Sequence, residues 1–287
     1  MPRIIGMLVV AFSVVGGFMI EGGPIGILLQ PVELLIILGA AIGTLIIGTP
    51  KPHLVRLAQG LKGLLGSGSS ATRETYLDLL RLQYEIFVNA RKNGFIALDA
   101  DIAEPDKSPI FSKYPSFLAR HHAVTFMTDS LRLLVDGAVS PYDLDHLLDR
   151  EMETHFEEAS KPATILAKVG DTLPGLGIVA AVLGIVISMQ AIDGPAEVMG
   201  HKVAVALIGT FMGVLFAYGF VNPLAVGLEM ATERDMNYLA CVKAGIVAFA
   251  KGAPPPVAIE FARRAVFEDD RPRIPELEAA THEVVPR

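Results

Sequence analysis

From Val169 to Ile192 the chain reads VGDTLPGLGIVAAVLGIVISMQAI, and from Val203 to Leu228 it reads VAVALIGTFMGVLFAYGFVNPLAVGL. Beyond Asp171 neither stretch carries a charged side chain. At 1.5 Å per residue, each is long enough as a helix to cross the roughly 30 Å of a bilayer's hydrocarbon core. Two further uncharged runs, Ile4 to Ile20 and Leu34 to Gly48, stand near the start of the chain. Both are slightly short alone, and uncharged flanking residues extend them. The composition agrees: mean hydropathy is +0.48 and 52% of residues are hydrophobic, while the 19% that are charged crowd outside these runs. That division is how a chain shared between lipid and water looks. The expected fold is all-α, a polytopic membrane protein with four transmembrane helices and a large helical cytoplasmic domain.

Arg3 followed by an apolar run resembles a signal peptide, but no small-residue cleavage site is evident and a second apolar run follows at once, so the first run reads as a retained helix. Orientation follows from the cations. The link from Glu21 to Gln30 has no Lys or Arg, and the link between the third and fourth runs carries only Lys202. Lys51 to Lys168 holds fourteen Lys and Arg, and the tail after Leu228 holds eight. The positive-inside rule then places both termini and the long middle segment in the cytoplasm. Four regions result: a hairpin of helices over 1–50, a cytoplasmic domain over 51–168, the third and fourth spans over 169–228, and a cytoplasmic extension and tail over 229–287.

The middle segment reads as helical. Leu77, Leu80, Tyr84 and Phe87 recur at helix spacing, and Ser140-Pro141-Tyr142-Asp143 supplies a capping serine, a proline at the first helical position and an acid at the third. A long acidic helix is expected to follow. Gly66 to Ser70 is a Gly/Ser break. Gly252-Ala253-Pro254-Pro255-Pro256 should end the inward continuation of the fourth helix, and the charged, proline-bearing tail after Glu268 is expected to be mobile.

Catalytic motifs are absent: the chain has no P-loop, nucleophile elbow, HExxH or paired cysteines, which disfavours an enzyme or a primary pump. The seven histidines lack metal-ligand spacing, and His121-His122 reads as part of a solvated helix. No cofactor or metal is expected. The single cysteine, Cys241, excludes an intrachain disulfide and reads as a buried thiol. The net charge of −7 says little about partners, and nucleic acid is not among those expected.

Neither of the last two spans has an ionisable residue near its centre. Asp171 lies at the inner end of the third, and Glu33 at the outer end of the second. Intramembrane ionisable groups normally mark ion pathways, so an ion crossing here needs a carboxylate from a partner helix. Small residues fill both spans: Gly175, Gly177, Ala180, Ala181 and Gly184 in the third, and the GxxxG pattern Gly209 to Gly213 in the fourth. Pro174 and Pro223 each leave a carbonyl four residues earlier without its helical donor, at Gly170 and Gly219, where no side chain obstructs a bend. Two such weak points, both near the cytoplasmic end, read as a hinge or gate.

Val169-Gly170-Asp171-Thr172-Leu173-Pro174, Gly177 to Ala181, Gly209-Thr210-Phe211 and Ala217 to Leu224 together resemble the MotA/TolQ/ExbB family, in its MotA flagellar branch. The resemblance extends from Gly16-Gly17 and Gln30 to Leu34 through to Ala253-Pro254-Pro255 with Glu260-Phe261. It implies a stator subunit in the bacterial inner membrane, in a ring, pentameric in the family, around a MotB dimer. MotB would supply the proton-carrying aspartate, the plug and the peptidoglycan-binding domain. The resemblance further implies that Pro174 and Pro223 couple ion passage to conformational change, and that the Thr210 hydroxyl faces the ion path. Ala181 stands where sodium-driven relatives carry a threonine, which points to H⁺ as the coupling ion. The stretch Arg91 to Ile102 matches the one that engages the rotor protein FliG; Arg91 matches its arginine, Asp99 stands where a glutamate is usual, and Ala100 where some relatives have another arginine. Alternatives are an ExbB-like or TolQ-like energiser of outer-membrane processes, which has three spans, a self-contained channel or transporter, and a scaffold without ion flux.

Overall fold

A computed structural model of the chain describes residues 2–66, 71–190, 193 and 195–284, and all regular structure among them is helical. The helices are α1 (Pro2–Ile20), α2 (Ile25–Leu28), α3 (Pro31–Gly48), α4 (Lys51–Leu65), α5 (Arg73–Asn93), α6 (Asp99–Ala103), α7 (Pro115–Leu118), α8 (His121–Val135), α9 (Pro141–Met189), α10 (Ala196–Phe216), α11 (Asn222–Ala250), α12 (Pro255–Ala265) and α13 (Ile274–Val284). Four stretches are long and apolar enough to cross a membrane: Arg3–Ile20, Ile25–Gly48, Pro141–Met189 and Ala196–Ala250. The all-helical fold with four such spans is the one read from the sequence. The Gly/Ser break lies, beyond Gly66, outside the described residues, as do the last two residues of the third apolar run.

The chain divides into two compact units, Met1–Gly68 with Ala159–Ala231 and Ser69–Glu158 with Thr232–Arg287. The first holds the apolar helices and is built inside out. Its core is small or slender, with Ile37, Ala41, Leu173, Ala180 and Ala217 buried together. Its bulky apolar side chains point away: Phe12, Leu35, Ile47, Val182 and Leu207 are all exposed. Large apolar surface left uncovered in this way is a surface for lipid or for other membrane helices. A second cluster, Leu57, Leu64, Ala163, Leu166, Ala225 and Leu228, packs α4 against the ends of α9 and α11 that belong to this unit. Arg3 donates from Nη1 to the Leu64 carbonyl at 2.8 Å, so a cation closes the last turn of α4, where carbonyls lack helical donors.

The second unit has the core of a soluble protein. Tyr76, Leu79, Leu80, Ile86 and Phe87 of α5 meet Phe126, Leu131, Leu144, Tyr238, Val242 and Phe249, all almost fully buried. The buried stripe of α5 is rotated from the sequence reading: Leu80 and Phe87 lie at its centre, while Leu77 and Tyr84 are only half-buried. Phe87 and Phe249 stack with centroids 4.4 Å apart. Cys241 is completely buried, as expected. The start of α9 is also as read, with the Asp143 N–H donating to Ser140 Oγ at 3.1 Å and the Ser140 hydroxyl to Asp143 Oδ2 at 2.6 Å. Past α11 the chain breaks at Gly252, whose φ of +91° suits a glycine, and restarts at Pro255.

The tail after Glu268 is not the mobile segment its composition implied. Residues Ile274–Val284 form α13, which packs on α5 and buries Leu277 and Ala280. The spacing of those two small apolar positions gives the helix one dry stripe despite its charge. The Arg273 N–H donates to Glu276 Oε2 at 2.7 Å, capping the helix start. Upstream, Arg263 donates to the Pro272 carbonyl and grips Glu260, whose carboxyl is held at about 2 by that guanidinium and by Arg264. These apolar, capping and ionic contacts outweigh a composition that suggests disorder.

Candidate functional site

The site lies in the first unit, where α9 and α10 cross with backbone against backbone. A methyl placed on Gly177 would sit 2.7 Å from the Gly209 carbonyl oxygen and 3.1 Å from Gly213 Cα. One on Gly213 would sit 2.6 Å from the Leu173 carbonyl oxygen, and one on Gly184 2.9 Å from Ala206 Cβ. These glycines are therefore what allows the approach, because no Cβ fits between the two main chains. Gly175 differs, having no atom within 4 Å of such a methyl, so it does not belong to the crossing.

The expected ion-path residues flank this crossing. Ala181 is buried, with its N–H 3.0 Å from a methyl position on Gly209. Thr210 is half-buried, its Cα beside Gly177, and its hydroxyl makes no hydrogen bond among the described residues. Other threonines here, such as Thr44 and Thr172, donate to a carbonyl three residues back in their own helix. Thr210 therefore keeps a donor and an acceptor available for water.

The two prolines also come together, through their neighbours. Pro174 lies inside the unbroken helix α9 and is half-buried, whereas Pro223 is exposed. Gly170, whose carbonyl Pro174 leaves without its donor, packs directly on the carboxamide of Asn222, the residue before Pro223. The Asn222 Oδ1 is buried and unpartnered there. Just before Pro223 the helix widens to a π-turn, Ala217–Val221, which contains Gly219. A π-turn re-pairs backbone groups where a helical bond is missing and is a local weak point. The prolines and their glycines are legible in the sequence, whereas the π-turn has no residue signature there.

Glu33, read as sitting at the outer end of the second span, is only 6% exposed and is turned into the crossing. A methyl on Gly209 would lie 3.2 Å from its Oε2, and one on Gly184 3.5 Å from its Oε1. This chain therefore brings an ionisable group of its own to the layer of Ala181 and Gly209. The only sequence signal was an acid in the first turn of an apolar helix.

The second unit carries the charged residues read as a rotor contact. Arg91 and Asp99 are both exposed and form no ion pair among the described residues. Gly94, at φ +83°, ends α5 between them and presents Ile96, 80% exposed, at the turn. Asp101, in the same stretch, is not a surface charge. It is buried and accepts from the Ser108 hydroxyl at 2.6 Å, and that oxygen in turn accepts from the Ile110 and Phe111 N–H groups. Its role is to fasten the loop after α6.

Comparison with known proteins places this geometry. The chain matches the motility protein A N-terminal family over residues 4–94 and the MotA/TolQ/ExbB proton channel family over residues 119–240. It is 41% identical to motility protein A of Escherichia coli (strain K12) over 275 residues, which is 96% of this chain and 93% of that one. The chain belongs to the motility protein A branch of the MotA/TolQ/ExbB proton channel family. It is also 38% identical to the chemotaxis protein LafT of Vibrio parahaemolyticus over 97% of each chain. The fold is shared with the solved structure of C. jejuni MotAB, with a TM-score of 0.78 at 22% identity over 95% of this chain and 98% of that one. Members of the MotA/TolQ/ExbB family are channel proteins and not enzymes, in line with the absence of catalytic motifs.

Proposed function

We propose that this chain is the stator subunit of a bacterial flagellar motor, and that with a MotB-type partner it conducts protons and converts their flux into torque. The observation that carries the reading is the glycine-tight crossing of α9 and α10, bordered by Ala181, the free Thr210 hydroxyl and two proline-weakened turns. It is supported by identity to motility proteins over nearly the whole chain and by fold likeness to chains solved as MotAB complexes. On this reading the protein is a multi-pass protein of the inner membrane with both termini inside. Residues 1–50 form its hairpin, 51–168 its rotor-facing domain, 169–228 the ion-path helices and 229–287 the cytoplasmic extension. Five copies would surround a MotB dimer, whose helix supplies the titrating aspartate.

One elementary charge falling through about 100 mV releases about 2.3 kcal/mol, enough to bias a two-state helix arrangement more than tenfold. Neutralising the partner's carboxylate removes a charge that the crossing helices must solvate. The helices then repack about Gly170, Pro174, the π-turn and Pro223, and the ring steps round its axial dimer. Arg91 and Asp99, exposed and unpaired, pass the step to FliG by charge. The energiser alternative fits less well, because four candidate spans are present and the closely similar proteins are motility proteins.

The coupling ion is H⁺ on this account. Sodium needs several oxygen ligands in place of its water, and the Ala181 methyl supplies none. Swimming speed in sodium-free medium is expected to equal speed in sodium medium, and a protonophore is expected to abolish it. Speed that follows sodium concentration and survives the protonophore would overturn the assignment.

A further inference from the structure

An acid at the third position of a helix ordinarily serves that helix, bonding back to the free N–H groups of the first turn. Glu33 holds that position in α3 and does not do so. The residue before the helix, Gln30, turns its own side chain to the Ile27 carbonyl. Glu33 reaches instead across to α9 and α10, where its Oε2 is buried without any hydrogen-bond partner. The space it enters is bounded by Gly184 and Gly209; a methyl on Gly209 would crowd Oε2 at 3.2 Å, while one on Gly184 would make ordinary contact with Oε1 at 3.5 Å. Nearby, Ala180, Ala181 and Ala206 are all buried and offer no polar side chain.

The position is well inside the apolar layer. Gly209 is six residues beyond Val203, or about 9 Å along the helix from the start of the fourth apolar run. The charged and titratable groups on the facing helices are elsewhere: Asp171 is exposed near the other end of the span, and Glu197, His201 and Lys202 precede the apolar run. None forms an ion pair with Glu33. Buried charges are normally paired or else neutralise by taking up a proton, and no cation is offered among the described residues. Ionisable side chains kept in such places in membrane proteins face pathways and relays.

We propose that Glu33 is a second proton-binding group of the stator's ion path, contributed by this chain and placed on the outer side of the partner's carboxylate. The proposal rests on the proton-conducting reading above. Glu33 accepts a proton from water at the outer face, carries it as the neutral acid between Gly184 and Gly209, and releases it to the deprotonated acceptor on the axial helix. Each cycle returns Glu33 to its carboxylate and moves one proton inward. The two glycines are the space in which the carboxyl group moves between the outer water and the acceptor.

The test uses the full chain assembled with its partner. Glu33→Gln keeps shape and removes titration, and proton flux through an unplugged complex is expected to fall by about a hundredfold, the low end for a positioned proton-transfer group. Glu33→Asp should keep a measurable part of the flux. In infrared spectra of the wild-type complex a protonated-carboxyl stretch that shifts in D₂O should be present, should be lost in Glu33→Gln and should move in Glu33→Asp. Wild-type flux in Glu33→Gln, or spectra indifferent to both substitutions, would overturn the proposal. If Glu33→Gln does not accumulate, Glu33→Asp decides: an unmoved band overturns the proposal and a moved one supports it. Failure of the wild-type complex to conduct would instead remove the functional reading, and the infrared band distinguishes that case because it needs no flux.

Discussion

Pro174→Ala and Pro223→Ala are expected to reach the membrane and assemble at normal levels, yet to slow rotation by more than about tenfold or stop it. A proline inside a helix destabilises the straight form by about 3 kcal/mol. Alanine removes that penalty from one arrangement of the helices and leaves the bent arrangement without its advantage. Each proton supplies only about 2.3 kcal/mol at about 100 mV, so a bias of about 3 kcal/mol exceeds the driving energy of a step. Pro174 should be the more severe of the two, since it sits within the unbroken α9 with Gly170 seated on Asn222, whereas Pro223 follows a π-turn that already absorbs part of the distortion. Rotation of tethered cells, read beside the amount of protein in the membrane fraction, checks this. Normal rotation in both variants would remove the prolines from the mechanism, and loss of the protein from the membrane would make them structural.

The second large effect is expected at the helix crossing. Gly213→Ala and Gly177→Ala each place a methyl under 3 Å from a carbonyl oxygen of the facing main chain, an obstacle that no side-chain rotation relieves. Overpacking of this kind destabilises by about 1–3 kcal/mol per site. Both variants are expected to lower the thermal stability of the purified complex and to abolish swimming, and the double variant should not assemble. Gly175→Ala is the control: the same substitution, two residues from Gly177 and on another face of α9, meets no atom within 4 Å and should leave stability and swimming near wild type. Equal behaviour of Gly175→Ala and Gly213→Ala would show that the helices do not cross as described.

Much of this was open to reading from the sequence because it is local. An uncharged run reports a span, the Ser140 to Asp143 pattern reports a helix start, and a proline four residues after a glycine reports an unsupported carbonyl. What stayed hidden depends on how elements meet. Glu33 reads as an end-of-span acid until the rotation of α3 about its own axis is known, since the same residue one position along would face away from α9 and α10. Asp101 looks like any exposed acid until Ser108, seven residues on, is seen to fold back onto it. The segment Ile274–Val284 has a composition typical of a mobile tail, and only the groove on α5 that accepts Leu277 and Ala280 makes it a helix of the core. The π-turn depends on backbone pairing that no residue type announces.

On the proposed function this chain is half of a proton pathway, complete only with a partner helix. Proton uptake by cells energised at fixed membrane potential tests it most directly, with this chain expressed alone, with a MotB-type partner lacking its plug, and with that partner carrying asparagine in place of its intramembrane aspartate. A leak is expected in the second case and none in the first and third. A leak from the chain alone, or an undiminished leak with the neutralised partner, would contradict it.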